Sequence, residues 1–173
     1  FVFCMQAGQR EEVLDIISAC GLDGFVPLPF FLSNLENEMA KLRTEFGNIG
    51  NVDGTSVLNG VRLLCAEDNP LNAEILEELL HMQGATCTIY SDGKQLVEAF
   101  DHVRPSDYDV ILMDVQMPVM NGYDATKKIR RMDDPQKANI PIVAMTANAF
   151  SEDKQVALDA GMNDHIAKPI NMS

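Results

Sequence analysis

Between residues 61 and 167 the sequence alternates short apolar segments with amphipathic ones, and this order restricts the fold more than any other feature. The apolar segments have the length of buried strands, and apolar residues recur at helical spacing in the segments between them. Parallel strands require crossover helices, so the order predicts an α/β doubly wound, mainly parallel sheet covered on both faces. We expect strands at 61–66, 85–90, 108–113, 140–145 and 164–167, and helices at 70–83, 93–103, about 122–132 and about 151–160.

The acidic composition argues against two kinds of partner. The chain has 13 basic and 26 acidic residues, and its net charge of −13 repels nucleic-acid phosphates and anionic lipid surfaces. No apolar run approaches the roughly 20 residues of a membrane span. The cysteines at positions 4, 20, 65 and 87 show neither CxxC pairing nor a His/Cys ligand spacing. We therefore expect free thiols, a cytoplasmic location, and no binding of nucleic acid or membrane by this chain.

Polar residues follow the predicted strands where each strand ends. Glu67 and Asp68 follow the first strand, Asp114 the third, Thr146 the fourth and Lys168 the fifth. Ligands of open parallel sheets bind outside the carboxyl ends of the strands, near the point where the strand order reverses. The sequence therefore predicts one site to which several strand ends contribute.

The residue types at these strand ends indicate phosphoryl chemistry. Asp68 and Asp114 can ligate one ion if their strands are neighbours, with Glu67 acting directly or through water. Mg²⁺ is the expected cofactor because it relieves the repulsion between clustered carboxylates and keeps positions for water and phosphate. Lys168 and Thr146 suit the oxygens of a transferred phosphoryl group, and Asp114 would then be the nucleophile that forms an acyl phosphate.

Four motifs give the second part of the chain a family resemblance. The stretches "AEDNPLN", "LMDVQMPVMNGYDA", "AMTANA" and "AKPI" occur in the order and spacing of the receiver domain of two-component response regulators, which residues 61–170 resemble. The resemblance implies a flavodoxin-like (βα)5 sheet of order 2-1-3-4-5. It also implies a phosphoacceptor at Asp114, Mg²⁺ held by Glu67, Asp68, Asp114 and the backbone carbonyl of Gln116, and a phosphoryl group bound by Thr146 and Lys168.

The same resemblance assigns further roles. A switch residue three positions before the lysine, often Tyr or Phe in the family, is His165 here, and it is expected to move together with Thr146. The phosphoryl charge would thereby alter the face formed by the receiver's fourth helix and fifth strand. Gln116 and Asn148 occupy the positions that tune the lifetime of the phosphoryl group, and the Lys168–Pro169 peptide is expected to be cis.

The first 46 residues resemble the end of a second receiver. Laid without gaps on residues 142–170, residues 2–30 share five identities in 29 positions, which fall at a strand end, a helix end and a proline turn. Gln6 and Leu28 stand in place of the threonine and lysine, while Phe25 keeps the aromatic position. We interpret residues 1–46 as the C-terminal part of a degenerate receiver-like unit, followed by a linker at 47–60 and a receiver at 61–173 whose final helix is missing or truncated.

The segment 30–46 is expected to be an amphipathic helix whose apolar stripe must be buried. Because a receiver without its last helix leaves one sheet face uncovered, we expect residues 1–46 to cover that face or to exchange between two chains in a homodimer. The stripe consists of Phe31, Leu35, Met39, Leu42 and Phe46.

Three function classes remain open from the sequence. A phosphoacceptor module is favoured, with a histidine kinase or phosphotransfer domain as partner and a hybrid sensor histidine kinase as parent. A phosphatase of the haloacid dehalogenase type would usually carry a second aspartate where Gln116 stands. A pure interaction module predicts loss of the site residues, which 61–173 retain. The chain has neither a kinase ATP-binding sequence nor a phosphoacceptor-histidine helix, so any kinase activity would belong to other parts of the parent.

Overall fold

The computed structural model describes residues 28–47, 56–147 and 151–168 of the chain. It contains a sheet, helices that flank it, and one 3-10 turn at Pro105–Asp107. The elements in chain order are α1 (Leu28–Phe46), β1 (Arg62–Ala66), α2 (Pro70–Met82), β2 (Thr86–Tyr90), α3 (Gly93–His102), β3 (Val110–Asp114), α4 (Gly122–Ile129), α5 (Pro135–Ala138), β4 (Ile142–Thr146), α6 (Ser151–Asp159) and β5 (Asp164–Ala167).

The sheet has five strands, all parallel, in the order β2-β1-β3-β4-β5. This confirms the flavodoxin-like order predicted from the sequence. The strand order reverses between β1 and β3, where Leu63 pairs with Val110 and Ala66 with Met113. The neighbouring carboxyl ends of β1 and β3 therefore flank the crevice in which such sheets bind ligands.

Alternate residues of the strands are buried on opposite faces of the sheet. On one face Leu63, Leu112 and Val143 belong to a cluster completed by side chains of α1 and α2. On the other face Leu64 and Ile111 belong to a cluster completed by side chains of α3, α4 and α6. Both faces are covered, which explains why the central strands are continuously apolar.

Helix α1 covers the sheet beside α2. Leu35, Met39 and Leu42 lie in the same buried cluster as Leu112 and Ile166 of the sheet. This confirms that the apolar stripe of α1 is buried against the receiver, within one chain. Phe46 is an exception, because 43% of its surface is exposed at the end of the helix.

Polar contacts also hold α1 in place. The guanidinium of Arg43 donates to the carbonyl of Val57 at 2.9 Å, and the ammonium of Lys41 lies 3.6 Å from a carboxylate oxygen of Asp164 in β5. Burial and a hydrogen bond to Asp164 raise the pKa of Glu38.

The interpretation of residues 1–46 as part of a degenerate receiver remains a prediction. Residues 1–27 lie outside the described residues, and so do the positions of Gln6 and Phe25. The side chains of Leu28 and Phe31 are also outside them. Dimerisation through residues 1–46 likewise stays a prediction.

Several element boundaries differ from the sequence expectation, and two short elements were missed. β3 begins at Val110 rather than 108, since Asp109 is held by the backbone amide and guanidinium of Arg62. α4 ends at Ile129 rather than near 132, and Asp134 caps the unexpected helix α5 by accepting a hydrogen bond from the Gln136 amide. No helix in the described part of the chain is long and apolar enough to cross a membrane.

The two described cysteines are free thiols, as expected. Cys65 in β1 is fully buried, and burial raises its pKa. Its thiol hydrogen-bonds the sulfur of Cys87 in the edge strand β2, and this hydrogen bond lowers the pKa of Cys87. Cys87 is half-buried and faces α2.

Candidate functional site

Asp114 is the last residue of β3 and lies at the carboxyl edge of the sheet. Its side chain is 1% exposed, and both carboxylate oxygens are held. Oδ1 accepts a hydrogen bond from the backbone amide of Gln116 at 3.0 Å, and Oδ2 accepts one from Nζ of Lys168 at 2.5 Å. The apolar strand therefore presents one rigidly oriented carboxylate.

Two further carboxylates lie beside Asp114. Glu67 and Asp68 each bring one carboxylate oxygen to within 4.8 Å of the others and of an Asp114 oxygen. Glu67 is buried, and its Oε2 lies 3.1 Å from Nζ of Lys168, whereas Asp68 is exposed. The structure thus brings together the three carboxylates that the sequence predicted to converge.

Burial of this cluster changes the acidity of Asp114. Burial raises its pKa from 3.8 to about 6, although the hydrogen bond and charge of Lys168 act in the opposite direction. For Lys168, burial disfavours the charge, but the hydrogen bond to Asp114 and the charges of Asp114 and Glu67 raise the pKa overall. Asp114 is therefore mainly ionised at neutral pH.

Glu67 is oriented by the start of α2. Its Oε1 accepts hydrogen bonds from the backbone amide of Asn69 and from the side-chain amide of Asn72, both at 3.2 Å. Asn69 also caps α2 by accepting from the amides of Leu71 and Asn72. The role of Asn72 was not predicted from the sequence, although Asn72 lies in the first turn of a helix that begins shortly after Glu67.

Thr146 and Lys168 reach the site from β4 and β5. Thr146 is the buried last residue of β4, and its carbonyl accepts a hydrogen bond from the backbone amide of Lys168 at 2.8 Å. The two residues thus lie side by side at the carboxyl edge, and the Lys168 ammonium donates a hydrogen bond to Asp114.

The loop after Asp114 approaches the site very closely. Gly122 opens α4, and a Cβ at this position would lie 2.2 Å from the carbonyl oxygen of Asp114. Only glycine permits this approach. Within the loop, Val119 adopts a positive φ of 64°, which is strained for a β-branched residue. Gln116 is exposed and borders an open cleft together with Asp68 and Pro118.

His165 lies in β5, paired with Ala144 of β4. Its side chain is 15% exposed, and its Nδ1 lies 3.2 Å from Oδ1 of Asp164. Strand alternation places it on the face opposite Ile166, which is the side of α6. The other two positions that the sequence singled out, Asn148 and the Lys168–Pro169 peptide, lie outside the described residues.

The fold and the site define a class of protein. A family model described as the response regulator receiver domain matches residues 63–173. The chain therefore belongs to the response regulator receiver domain family.

Individual relatives include a hybrid histidine kinase and a sensor protein. The chain is 40% identical over 112 residues to "Hybrid signal transduction histidine kinase I" of Dictyostelium discoideum, with 64% of this chain and 6% of the relative covered. It is 40% identical over 111 residues to "Sensor protein GacS" of Pseudomonas syringae pv. syringae, with 64% of this chain and 12% of that protein covered. The matched region is thus a small fraction of each relative.

Solved structures show the same fold. The receiver domain of sensor histidine kinase PA1611 from Pseudomonas aeruginosa, which has a magnesium ion coordinated in its active-site cleft, is 41% identical with a TM-score of 0.56; the match covers 64% of this chain and 87% of that one. The receiver domain of Ssk1 in complex with the phosphotransfer protein Ypd1 of Saccharomyces cerevisiae is 31% identical with a TM-score of 0.55; the match covers 64% of this chain and 80% of that one.

Proposed function

We propose that this chain is a phosphoacceptor module of a two-component phosphorelay, with Asp114 as the residue that is phosphorylated. The observation that carries the proposal is the buried Asp114 carboxylate, held by Lys168 at 2.5 Å within a group of three carboxylates. The donor would be a phosphohistidine of a histidine kinase or a phosphotransfer domain. Similarity to a hybrid histidine kinase supports a hybrid sensor histidine kinase as the parent protein.

The chemical step is an attack of an Asp114 carboxylate oxygen on phosphorus. The bond between phosphorus and the histidine nitrogen breaks, its electron pair remains on the imidazole, and the imidazole takes up a proton. The product is an acyl phosphate on Asp114. Lys168 and the Thr146 hydroxyl would contact the phosphoryl oxygens, on which the negative charge is spread.

The donor set fits Mg²⁺. Glu67, Asp68 and Asp114 offer only oxygen ligands, and two of these carboxylates are buried with a single lysine as counter-charge. Together with the backbone carbonyl of Gln116, they would hold the ion. When bound, Mg²⁺ supplies positive charge that offsets the carboxylates and the phosphoryl oxygens and orients them.

The haloacid dehalogenase alternative receives no support from the site. Its second aspartate would stand at Gln116, which is exposed and has a neutral side chain. The long-lived product expected here is instead the acyl phosphate, whose lifetime Gln116 and Asn148 would tune.

Incubation with acetyl phosphate and Mg²⁺ tests the proposal. Intact-mass spectrometry should detect the gain of one phosphoryl group that is lost at alkaline pH, because acyl phosphates hydrolyse readily. Excess chelator should abolish the gain, since the clustered carboxylates would then lack their cation. Equal phosphorylation with and without chelator would contradict the assignment of the metal site.

A second prediction concerns transmission of the signal. Phosphorylation adds about −1.5 to −2 charges beside Thr146, which should draw the threonine hydroxyl inward and allow His165 to turn away from Asp164. Beryllofluoride with Mg²⁺ mimics the phosphoryl group. It should therefore shift the amide resonances of residues 146 and 164–168 and alter the α6–β5 face.

The matched control is Asp114→Asn with the same additives, which should give no shifts. Unchanged amide spectra for Thr146, His165 and Lys168 in the wild-type protein would contradict the switch.

A further inference from the structure

We propose that Glu77, His81 and Cys87 form a second metal site, which binds one Zn²⁺ ion and is separate from the carboxylate cluster around Asp114. Each of the three residues offers one ligand atom, and these atoms lie within 4.8 Å of one another. The proposal does not depend on phosphorylation of Asp114.

The site arises from the packing of α2 on the edge strand. Glu77 and His81 are four residues apart in α2, so their side chains lie on the same helix face. Cys87 is the second residue of β2, against which α2 packs, and it faces the helix. Sequence spacing alone does not reveal the group, because five residues, which include the turn between α2 and β2, separate His81 from Cys87.

The chemistry of the ligands favours zinc. A carboxylate oxygen, an imidazole nitrogen and a thiolate sulfur are the three ligand types that Zn²⁺ takes in proteins, at about 2.0–2.3 Å. A tetrahedral ion with these distances needs ligand atoms somewhat closer than the upper bound of 4.8 Å, which small side-chain rotations at the surface can provide. Mg²⁺ is disfavoured, since it selects oxygen ligands.

The surroundings leave the ligands available. Among the described residues, neither the Glu77 carboxylate nor the His81 imidazole forms a hydrogen bond or an ion pair, and both side chains are exposed. Cys87 accepts a hydrogen bond from the buried thiol of Cys65, a contact outside the ligand set that orients its sulfur. Three protein ligands leave the fourth zinc position open to water.

The location separates this site from the first one. Cys87 lies near the amino end of β2, whereas Glu67, Asp68 and Asp114 are at the carboxyl ends of their strands. Bound zinc would link α2 to the edge strand and so stabilise the folded state by mass action. Substitutions here are therefore expected to leave phosphorylation of Asp114 unchanged.

Titration with Co²⁺ in excess Mg²⁺ tests the proposal, because Mg²⁺ occupies the oxygen site and cobalt reports its sulfur ligands. The full chain should bind one equivalent with a thiolate-to-cobalt charge-transfer band in the near ultraviolet, and Zn²⁺ should displace it. Cys87→Ser should abolish the band. His81→Ala and Glu77→Gln should each weaken binding more than about tenfold, since loss of even an outer-shell partner costs about 10–100-fold.

Matched controls are available on exposed helix positions. Glu78→Gln neighbours Glu77, and His102→Ala removes an exposed histidine from the last turn of α3; both variants should bind cobalt as the wild type does. Circular dichroism and Asp114 phosphorylation verify that each variant is folded. Absence of the band in the wild type, or an unchanged band in Cys87→Ser, would overturn the proposal.

Discussion

Asp114→Asn should reduce phosphorylation by acetyl phosphate or by a phosphohistidine donor to background. The amide cannot form the acyl phosphate, and the neighbouring carboxylates of Glu67 and Asp68 follow a different strand, β1, so they do not occupy the position of the Asp114 carboxylate. Intact-mass spectrometry of the variant with Mg²⁺ present measures the loss.

The best control is Asp92→Asn. Asp92 is another buried carboxylate that follows a strand, but it caps α3 by accepting a hydrogen bond from the amide of Gln95. Asparagine also serves as a helix cap, so this variant should be phosphorylated like the wild type. A labile phosphoryl group of equal amount on Asp114→Asn would contradict the assignment.

In the absence of metal, Asp114→Asn should also change how the stability of the fold depends on pH. Burial raises the pKa of Asp114 to about 6 from 3.8, so the fold favours the protonated carboxyl. That contribution is complete below about pH 4 and is lost as the pH rises through 6. Thermal melts of wild type and Asp114→Asn should therefore differ in slope across this window, with the wild type losing relative stability as the pH rises.

Met39→Ala should lower the free energy of unfolding by about 2–5 kcal/mol, the usual cost of truncating a fully buried methionine. Met39 lies in the middle of the α1 stripe, is 0% exposed and shares a cluster with the central strands. The effect would be a large part of the 5–15 kcal/mol typical of a whole domain. Urea denaturation followed by circular dichroism measures it.

Asn37→Ala provides the matched control on the same helix. Asn37 is exposed, so this substitution should change the unfolding free energy by less than about 0.5 kcal/mol. Equal effects of the two substitutions would show that α1 does not cover the sheet in solution.

The sequence by itself determined the sheet and its principal site. Strand and helix periodicities are local, and in a parallel sheet the residues after successive strands must meet at one edge. That constraint is sufficient to predict that Glu67, Asp68, Asp114, Thr146 and Lys168 lie together. Boundaries were less well determined, because they depend on contacts such as that of Arg62 with Asp109, whose partners are 47 residues apart.

Only the tertiary structure decided which surfaces meet outside that edge. The apolar stripe of α1 had to be buried, but its periodicity does not specify the surface that covers it. Its position on the sheet face beside α2 depends on shape and on contacts between distant residues, such as Lys41 with Asp164. The group formed by Glu77, His81 and Cys87 likewise depends on how α2 rests on β2. Hydrophobic burial is non-directional, so a sequence pattern specifies that a face is covered, whereas packing in three dimensions specifies what covers it.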